Sequence, residues 1–446
     1  MDSYAPILHV TRVHSIQSMR GVSMKKLLLG GAAALSLAAT TAVAGGVSGG
    51  NADSNWTIYG WQNYSIENVD IDGGRETSRI NGNAANIGFA ASIDTGIAGL
   101  SATLQCEQFT FHNRLSGYPG NGWCNRNSKL GLKGAFGEIM VGQWLLPANE
   151  MVAQWVDPFY DAGADSHTSI MGNLGYGTGF FYNGGFQFNS GGPAFGASQA
   201  FNRRQEEIIQ YFSPNVGGMS FRIATTNAHP TNPGDEVQVT SADGATELDP
   251  RIWSAGVAYD TTLASGDSVW FALTYEKHDE WAAVSYDCSD SDDEVYRIAG
   301  RYIHNMANGG FIKIAAMYEN LEYQWDGCAG SGGMLDALGT GNDLDVERDS
   351  WMVSGVVGMG NGMDIRASYM YGDEIEISGQ GDYDDSDATA MNIGLYYTMP
   401  AGTELRLTYS EVDNEDNSQY DFGIGTSGNA VGQDVEMFAI GLVQWF

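Results

Sequence analysis

Positive charge is scarce in this chain. Lysine and arginine number 21 against 54 aspartates and glutamates, a formal net charge of −33, and such acidity weighs against nucleic acid as a partner. Long apolar runs are lacking too: beyond Gly45 no stretch approaches the length of a membrane-spanning helix, so none is expected. That absence leaves strands as a way across a bilayer, since a closed barrel also satisfies every backbone group in lipid. The only cysteines, Cys106, Cys124, Cys288 and Cys328, show no CxxC or Cys/His spacing of a metal site. No Gly-rich phosphate loop sits in a strand-to-helix context. His112, His167, His229, His278 and His304 are scattered, with no nucleophile motif beside them. No enzyme chemistry, cofactor or metal is therefore expected.

What is present begins with an address. Met24-Lys25-Lys26, an apolar run from Leu27 to Ala39, and Ala42-Val43-Ala44 supply the charged, apolar and small-residue parts of a secretory signal peptide. Residues 1–44 are expected to be an upstream extension plus this leader, removed on export, with 45–446 forming one domain. Excluding 1–44 removes four cations (Arg12, Arg20, Lys25, Lys26) and one anion (Asp2), which leaves 17 basic and 53 acidic residues, or −36. Such acidity implies disorder only when hydrophobics are few. Here they make up 43% and aromatics 11%, so the acid must be set apart in loops. In an oxidising compartment the cysteines pair. Of three possible connectivities, the economical one joins Cys106 with Cys124 across one loop and Cys288 with Cys328 between successive loops.

After Gly45 the hydrophobic period is two. Val269, Phe271, Leu273 and Tyr275 oppose Ala272, Thr274 and Glu276, while Tyr296, Ile298 and Tyr302 oppose Arg297, Ala299 and Arg301. About sixteen such segments can be drawn, at 55–67, 84–93, 100–112, 127–134, 138–145, 205–213, 219–228, 250–260, 268–278, 294–304, 310–322, 348–359, 363–373, 389–399, 404–413 and 434–446. Short Gly/Asn/Pro turns alternate with long acidic loops such as Asp279 to Asp293, Asp326 to Asp345, Asp373 to Asp387 and Asp413 to Gln433. This rim asymmetry, with tyrosines closing the apolar face at strand ends, predicts an all-β, antiparallel transmembrane barrel. Arg222, Arg297, Arg301, Lys313, Arg366 and Arg406 share the inward parity of their strands; a charge on the lipid face near the midplane would cost roughly 2–4 kcal/mol. They serve either as salt bridges stiffening the wall or in conduction.

The stretch from Leu145 to Arg204 breaks this rhythm. It is low in charge and rich in Gly and aromatics, including Trp155, Phe159, Tyr160, Tyr176, Phe180 and Phe181. A long insert with no strand rhythm is normally functional or disordered, and aromatics at this density bury themselves. The expectation is that it folds inside the wall and narrows the hole, with a short helix from Pro147 to Val156.

Ser128-Lys129-Leu130-Gly131-Leu132-Lys133-Gly134 running into Gly137 to Gln143, the run Arg203 to Pro214 with Gly217-Gly218, and the terminal Gly441 to Phe446 together resemble the general diffusion porins of Gram-negative outer membranes. That resemblance implies a trimer of sixteen-stranded barrels with a long, inward-folded third loop, lodged among outer-membrane lipid and lipopolysaccharide. It also implies a constriction where loop carboxylates, here Glu150, Asp157, Asp161 and Asp165, face wall bases, here Lys129, Arg203, Arg204 and Arg79. Gln143 stands where the family often has an arginine. The implied function is passive passage of small hydrophilic solutes and ions, with cations favoured because the fixed acid concentrates them at the mouth. Three rivals remain: a solute-specific uptake channel using Trp144, Trp155, Phe159 and Tyr160, a non-conducting receptor or adhesin built from the acidic loops, and a hydrolase, which would show lipase or protease activity abolished by a single Ser or His change. Asp287 to Glu294 and Asp382 to Asp387 are read as solvated loops without the spacing of a Ca²⁺ loop, with divalent bridging to lipopolysaccharide phosphates as the alternative.

Overall fold

A computed structural model describes residues 47–51, 54–83, 85–110, 123–160, 166–172, 174, 201–202, 204–227, 236–328, 343–400, 402–422 and 429–446. The expected extension and leader lie outside them. Sixteen antiparallel strands close into a barrel: β1 Ser54–Ile71, β2 in two pieces Thr77–Gly82 and Asn86–Asp94, β3 Ser101–Phe109, β4 Ser128–Gly134, β5 Gly137–Leu145, β6 Arg204–Phe212, β7 Met219–Thr226, β8 Arg251–Thr262, β9 Ser268–Asp279, β10 Asp290–Asn305, β11 Phe311–Asp326, β12 Leu344–Gly358, β13 Met363–Gly372, β14 Ala388–Thr398, β15 Thr403–Asn414 and β16 Val435–Trp445. Closure is made by β16 on β1, from Trp61↔Trp445 to Ile71↔Val435. Gly60 and Phe446 exchange backbone hydrogen bonds at 3.0 Å, which seals the seam to the last residue.

The burial pattern is that of a barrel in lipid. Along β9 and β10 the exposed positions are Phe271, Leu273, Tyr275, Tyr296, Ile298 and Tyr302. Their neighbours Ala272, Thr274, Glu276, Arg297 and Ala299 are buried inside. Alternation follows from the pleat, which sends successive side chains to opposite faces. Here the greasy face is outside because lipid is the solvent there. Outward aromatics meet across strands: Tyr296 and Tyr318 lie 6.4 Å apart, and Trp351 lies 5.5 Å from Tyr369. Just beyond them the register sets Glu294, Glu322 and Glu347 in one row over β10, β11 and β12. Rings followed by carboxylates mark the passage from acyl chains to the wet interface.

Short connections (95–100, 135–136, 213–218, 263–267, 306–310, 359–362, 399–402) share one rim and long ones the other. The sorting expected from sequence is thus present, except that the loop at 72–76 on the long rim is short. Both expected disulfides form, Cys106–Cys124 and Cys288–Cys328.

Several elements differ from expectation. The second strand extends beyond 84–93, because the far half of the 18-residue β1 needs a partner and finds it in Thr77–Gly82 (Tyr64↔Gly82 to Val69↔Thr77). Arg79 therefore sits on a strand. Hairpins at Val237–Ser241/Gly244–Leu248 and Ile375–Ile377/Gly381–Tyr383 build structure into loops that read as irregular. Pro147 to Val156 forms two single turns, α1 Pro147–Glu150 and α2 Ala153–Val156, and a further helix, α3 Trp281–Tyr286, follows β9.

Leu273 faces lipid in mid-strand and Ala272 faces inward. Leu273→Arg is expected to cost about 2–4 kcal/mol in urea-dependent folding into vesicles, and a neutral result would contradict the register.

Candidate functional site

The segment after β5 turns into the barrel, and its residues are among the most buried in the molecule. Ala148, Val152, Ala153, Val156 and Phe159 are fully enclosed. The wall makes room for them: a Cβ on inward Gly256 would stand 2.7 Å from the Met151 sulfur. Met151, Val152 and Val156 belong to one buried apolar cluster with inward Met317, Met352, Met370 and Met437. An apolar inner stripe on these strands was not foreseen, and it exists to receive the loop. Trp155 stacks on Trp270 (5.7 Å, 27°), and Phe159 meets Tyr396 edge-on.

Backbone groups of so buried a segment need partners, and inward side chains supply them. Ser254 accepts from the Ala148 N–H, while Thr274 and Arg297 donate to the Ala148 carbonyl. Ser354 donates to the Val156 carbonyl at 2.6 Å, Arg366 to Pro158 at 3.0 Å and Arg348 to Ile170 at 2.9 Å. Glu319 accepts from the Gly172 N–H and pairs with Arg297 at 2.5 Å. Arg297 also reaches the Phe201 carbonyl and Asn202, tying both ends of the segment to one side chain. Sequence parity marked Arg297 and Arg366 as inward but could not show that a carbonyl waits for them. Arg348, Glu319 and Ser354 carried no signal beyond that parity.

The placement of the candidate loop acids differs from a row facing bases across water. Glu150 is 1% exposed; it pairs with Arg222 at 2.6 Å and accepts from the Trp144 indole. Burial pushes its carboxyl up from the ordinary range, opposed by the guanidinium. Asp157 is 3% exposed and turned back on its own loop. It accepts from the Phe159 and His167 N–H groups, both at 2.8 Å, and from the His167 ring at 3.1 Å. The other ring nitrogen of His167 lies 3.2 Å from Asn149. The imidazole therefore clips the outgoing leg of the loop to the incoming one. Asp161 and Asp165 lie outside the described residues.

The wall bases are likewise engaged locally. Lys129 pairs with Glu138 at 2.5 Å beneath the Trp144 and Phe212 rings. Arg79 pairs with Glu67 at 2.6 Å, and Arg204 donates to Asn127 at 2.7 Å over the Phe109 ring. Arg203 lies outside the described residues. Arg126, which sequence reading passed over, bonds Glu107 and stands 4.9 Å from the Trp61 ring. Arg406 pairs with Glu404 at 2.6 Å, and Arg366 lies 3.1 Å from Asp364. Near-neutral pairs thus line this part of the wall. The last long loop also enters the lumen: Tyr420 and Phe422 are buried, with Tyr420 held by Asn414 and Arg348.

Solved structures share this architecture. The anion-selective porin of Comamonas acidovorans aligns with 17% identity and a TM-score of 0.62 over 88% of this chain and all of that one. OmpF of Salmonella typhi, solved with daunomycin, gives 16% identity and 0.53 over 90% of this chain and all of its own. OmpT of Vibrio cholerae gives 14% and 0.53, with the same two coverages. At these identities the likeness is one of fold. No curated protein matches the sequence. The model of a family described as Gram-negative porin matches residues 32–417, most of the chain, and the chain belongs to that family.

Proposed function

We propose that this outer-membrane barrel is a general diffusion channel for small hydrophilic solutes and ions, with a preference for cations, and that it performs no catalysis. The observation that carries the reading is the anchored third-loop segment, a fixed obstacle inside a closed barrel. A pore narrowed by a rigid, polar-edged loop sorts solutes by size and charge. Cation preference follows from where charge stands. Lys129, Arg79, Arg222, Arg297 and Arg406 each have a carboxylate partner, whereas the long loops carry the acid excess. Glu150 and Asp157 act at the constriction by holding the loop's shape, and Lys129, Arg204 and Arg79 by holding the opposite wall; Asp161, Asp165 and Arg203 are assigned the facing roles. The acidic stretches Asp287 to Glu294 and Asp382 to Asp387 are read as solvated, with divalent bridging to lipopolysaccharide phosphates as the alternative.

The functional unit is a homotrimer in this reading. Outward positions of β2 to β5 are Ile80, Ile87, Phe89, Ile93, Leu104, Leu130, Leu132, Ile139 and Val141, without the tyrosines and tryptophans that edge the lipid face elsewhere. A face of aliphatic side chains and Phe89, with no outward Tyr or Trp, suits contact with another subunit. A second reading, solute-selective uptake, is favoured by the stacked, partly accessible Trp155; saturable, solute-blocked current would support it.

In planar bilayers under a KCl gradient, reversal potentials are expected to show potassium preferred over chloride at low salt. The ratio should fall toward unity at about 1 M, where screening shrinks to about 3 Å. Chloride preference at low salt would overturn the assignment. Arg222→Met leaves the Glu150 carboxylate buried without its partner and is expected to cost about 3–5 kcal/mol, read as loss of heat resistance on gels. The charge-free pair Glu150→Gln with Arg222→Met should recover most of it.

A further inference from the structure

The inward cations are not all occupied. Arg222 has Glu150, Arg297 has Glu319 and loop carbonyls, Arg366 has Asp364 and Pro158, and Arg406 has Glu404. Arg301 and Lys313 stand apart. Arg301 is 10% exposed; among the described residues its Nε has no hydrogen-bond partner, and the nearest carboxylate, Asp260, is 3.9 Å from a terminal nitrogen. Lys313 is partly buried and has no hydrogen bond or ion pair among the described residues.

The two belong to one patch. Arg301 pairs in register with Ala315, two residues from Lys313 on the same face of β11, and Lys313 shares a row with Val356 and Arg366. The electrostatic neighbours of Lys313 are Arg301, Asp157 and Arg366. The one acid among them, Asp157, has its oxygens taken by two backbone N–H groups and the His167 ring. Indoles form the floor: the Arg301 guanidinium lies 4.6 Å from the Trp155 ring centroid and 5.9 Å from that of Trp270. Arg301 lies near the end of β10 and Lys313 near the start of β11. The patch therefore faces the short-turn side of the loop.

A nearly buried cation without a full partner is costly, and a second cation beside it adds repulsion. An anion relieves both. A guanidinium offers a planar fork that a carboxylate can grip with two hydrogen bonds, and an ammonium supplies a point charge beside it. We propose that Arg301 and Lys313, floored by Trp155 and Trp270, form a binding site for the carboxylate of a small, ring-bearing organic acid. The ring packs along the indole edge and the carboxylate lies between the two cations. The site rests on the channel reading for access, and it makes passage of such acids saturable in a pore whose mouth favours cations.

Calorimetry of the purified protein with potassium benzoate, benzamide as the neutral isostere and inorganic phosphate tests this. Benzoate should bind at one site per chain, benzamide should not bind, and phosphate should bind more weakly than benzoate. Lys313→Gln should weaken benzoate about tenfold or more, the scale of one hydrogen bond between charged groups. Lys277→Gln, which removes a cation of the outer rim, should leave benzoate binding unchanged. Should Lys313→Gln fail to assemble, Arg301→Lys keeps the charge, loses the fork and should also weaken binding. In bilayers benzoate should reduce the KCl current saturably. Absent benzoate binding, benzamide binding equally, phosphate binding as tightly, or variants indistinguishable from the parent would each overturn the site. Failure to conduct KCl at all would instead defeat the channel reading, and calorimetry would still decide the site.

Discussion

The structure depends on one constraint: a polypeptide segment enclosed by a barrel must have its backbone groups satisfied by that barrel. The loop after β5 brings the carbonyls of Ala148, Val156, Pro158 and Ile170 into a space where each, unpaired, would cost about 1–3 kcal/mol. Thr274, Arg297, Ser354, Arg366 and Arg348 meet them. Those side chains are inward because the lipid face excludes them, so one pleat alternation both insulates the outside and equips the inside. Apolar packing completes the attachment, with Met151 against Gly256 and Trp155 against Trp270. The obstacle in the pore is thereby made part of the wall.

Charge is distributed on the same logic. Within the barrel, acids and bases stand in short contacts such as Lys129 with Glu138 and Arg297 with Glu319, where low dielectric makes an unpaired ion expensive. On the long-loop rim carboxylates outnumber cations, and those with partners, such as Asp292 with Lys277 and Asp349 with Tyr318, hold them in half-exposed contacts that water tolerates. The turn acid Asp267 shows what local hydrogen bonding does even at the surface. Ser265, followed by Tyr302, the Asn305 N–H and His304, holds its carboxyl well down, to about 2. From the long-loop rim inward, loops rich in carboxylate give way to a wall where Lys129 meets Glu138 and Arg222 meets Glu150.

Much of the fold was legible. Tyr296, Ile298 and Tyr302 against Arg297, Ala299 and Arg301 is a period-two signal that a sheet can bury only one way. The Gly and Asn turns set strand ends to within a few residues. Cysteine pairing followed from order along the chain: Cys106 on β3 meets Cys124 in the connection after it, and Cys288 and Cys328 join two successive long connections. Less was legible where contacts cross the lumen. Glu150 read as a loop acid facing Lys129 or Arg204, yet it meets Arg222, a residue 72 positions away whose proximity only closure creates. Asp157 read as a lumen carboxylate, yet it caps its own loop and holds His167. The inward methionines of β11 to β13 gave no hint of their partner, since nothing local distinguishes an apolar residue that awaits a loop from one that breaks a polar lining.

The sequence by itself determined that this chain is a closed, lipid-facing barrel with acidic outer loops and an aromatic insert after the fifth strand. Those properties are written in periodicity and composition, which act over neighbouring residues. The tertiary structure alone decided which inward cation holds which loop carbonyl, which acid it neutralises, and that Arg301 lies over two indoles with Asp260 no closer than 3.9 Å. These are meetings across the lumen between side chains far apart in the chain, fixed by the path of one buried loop that no local pattern encodes.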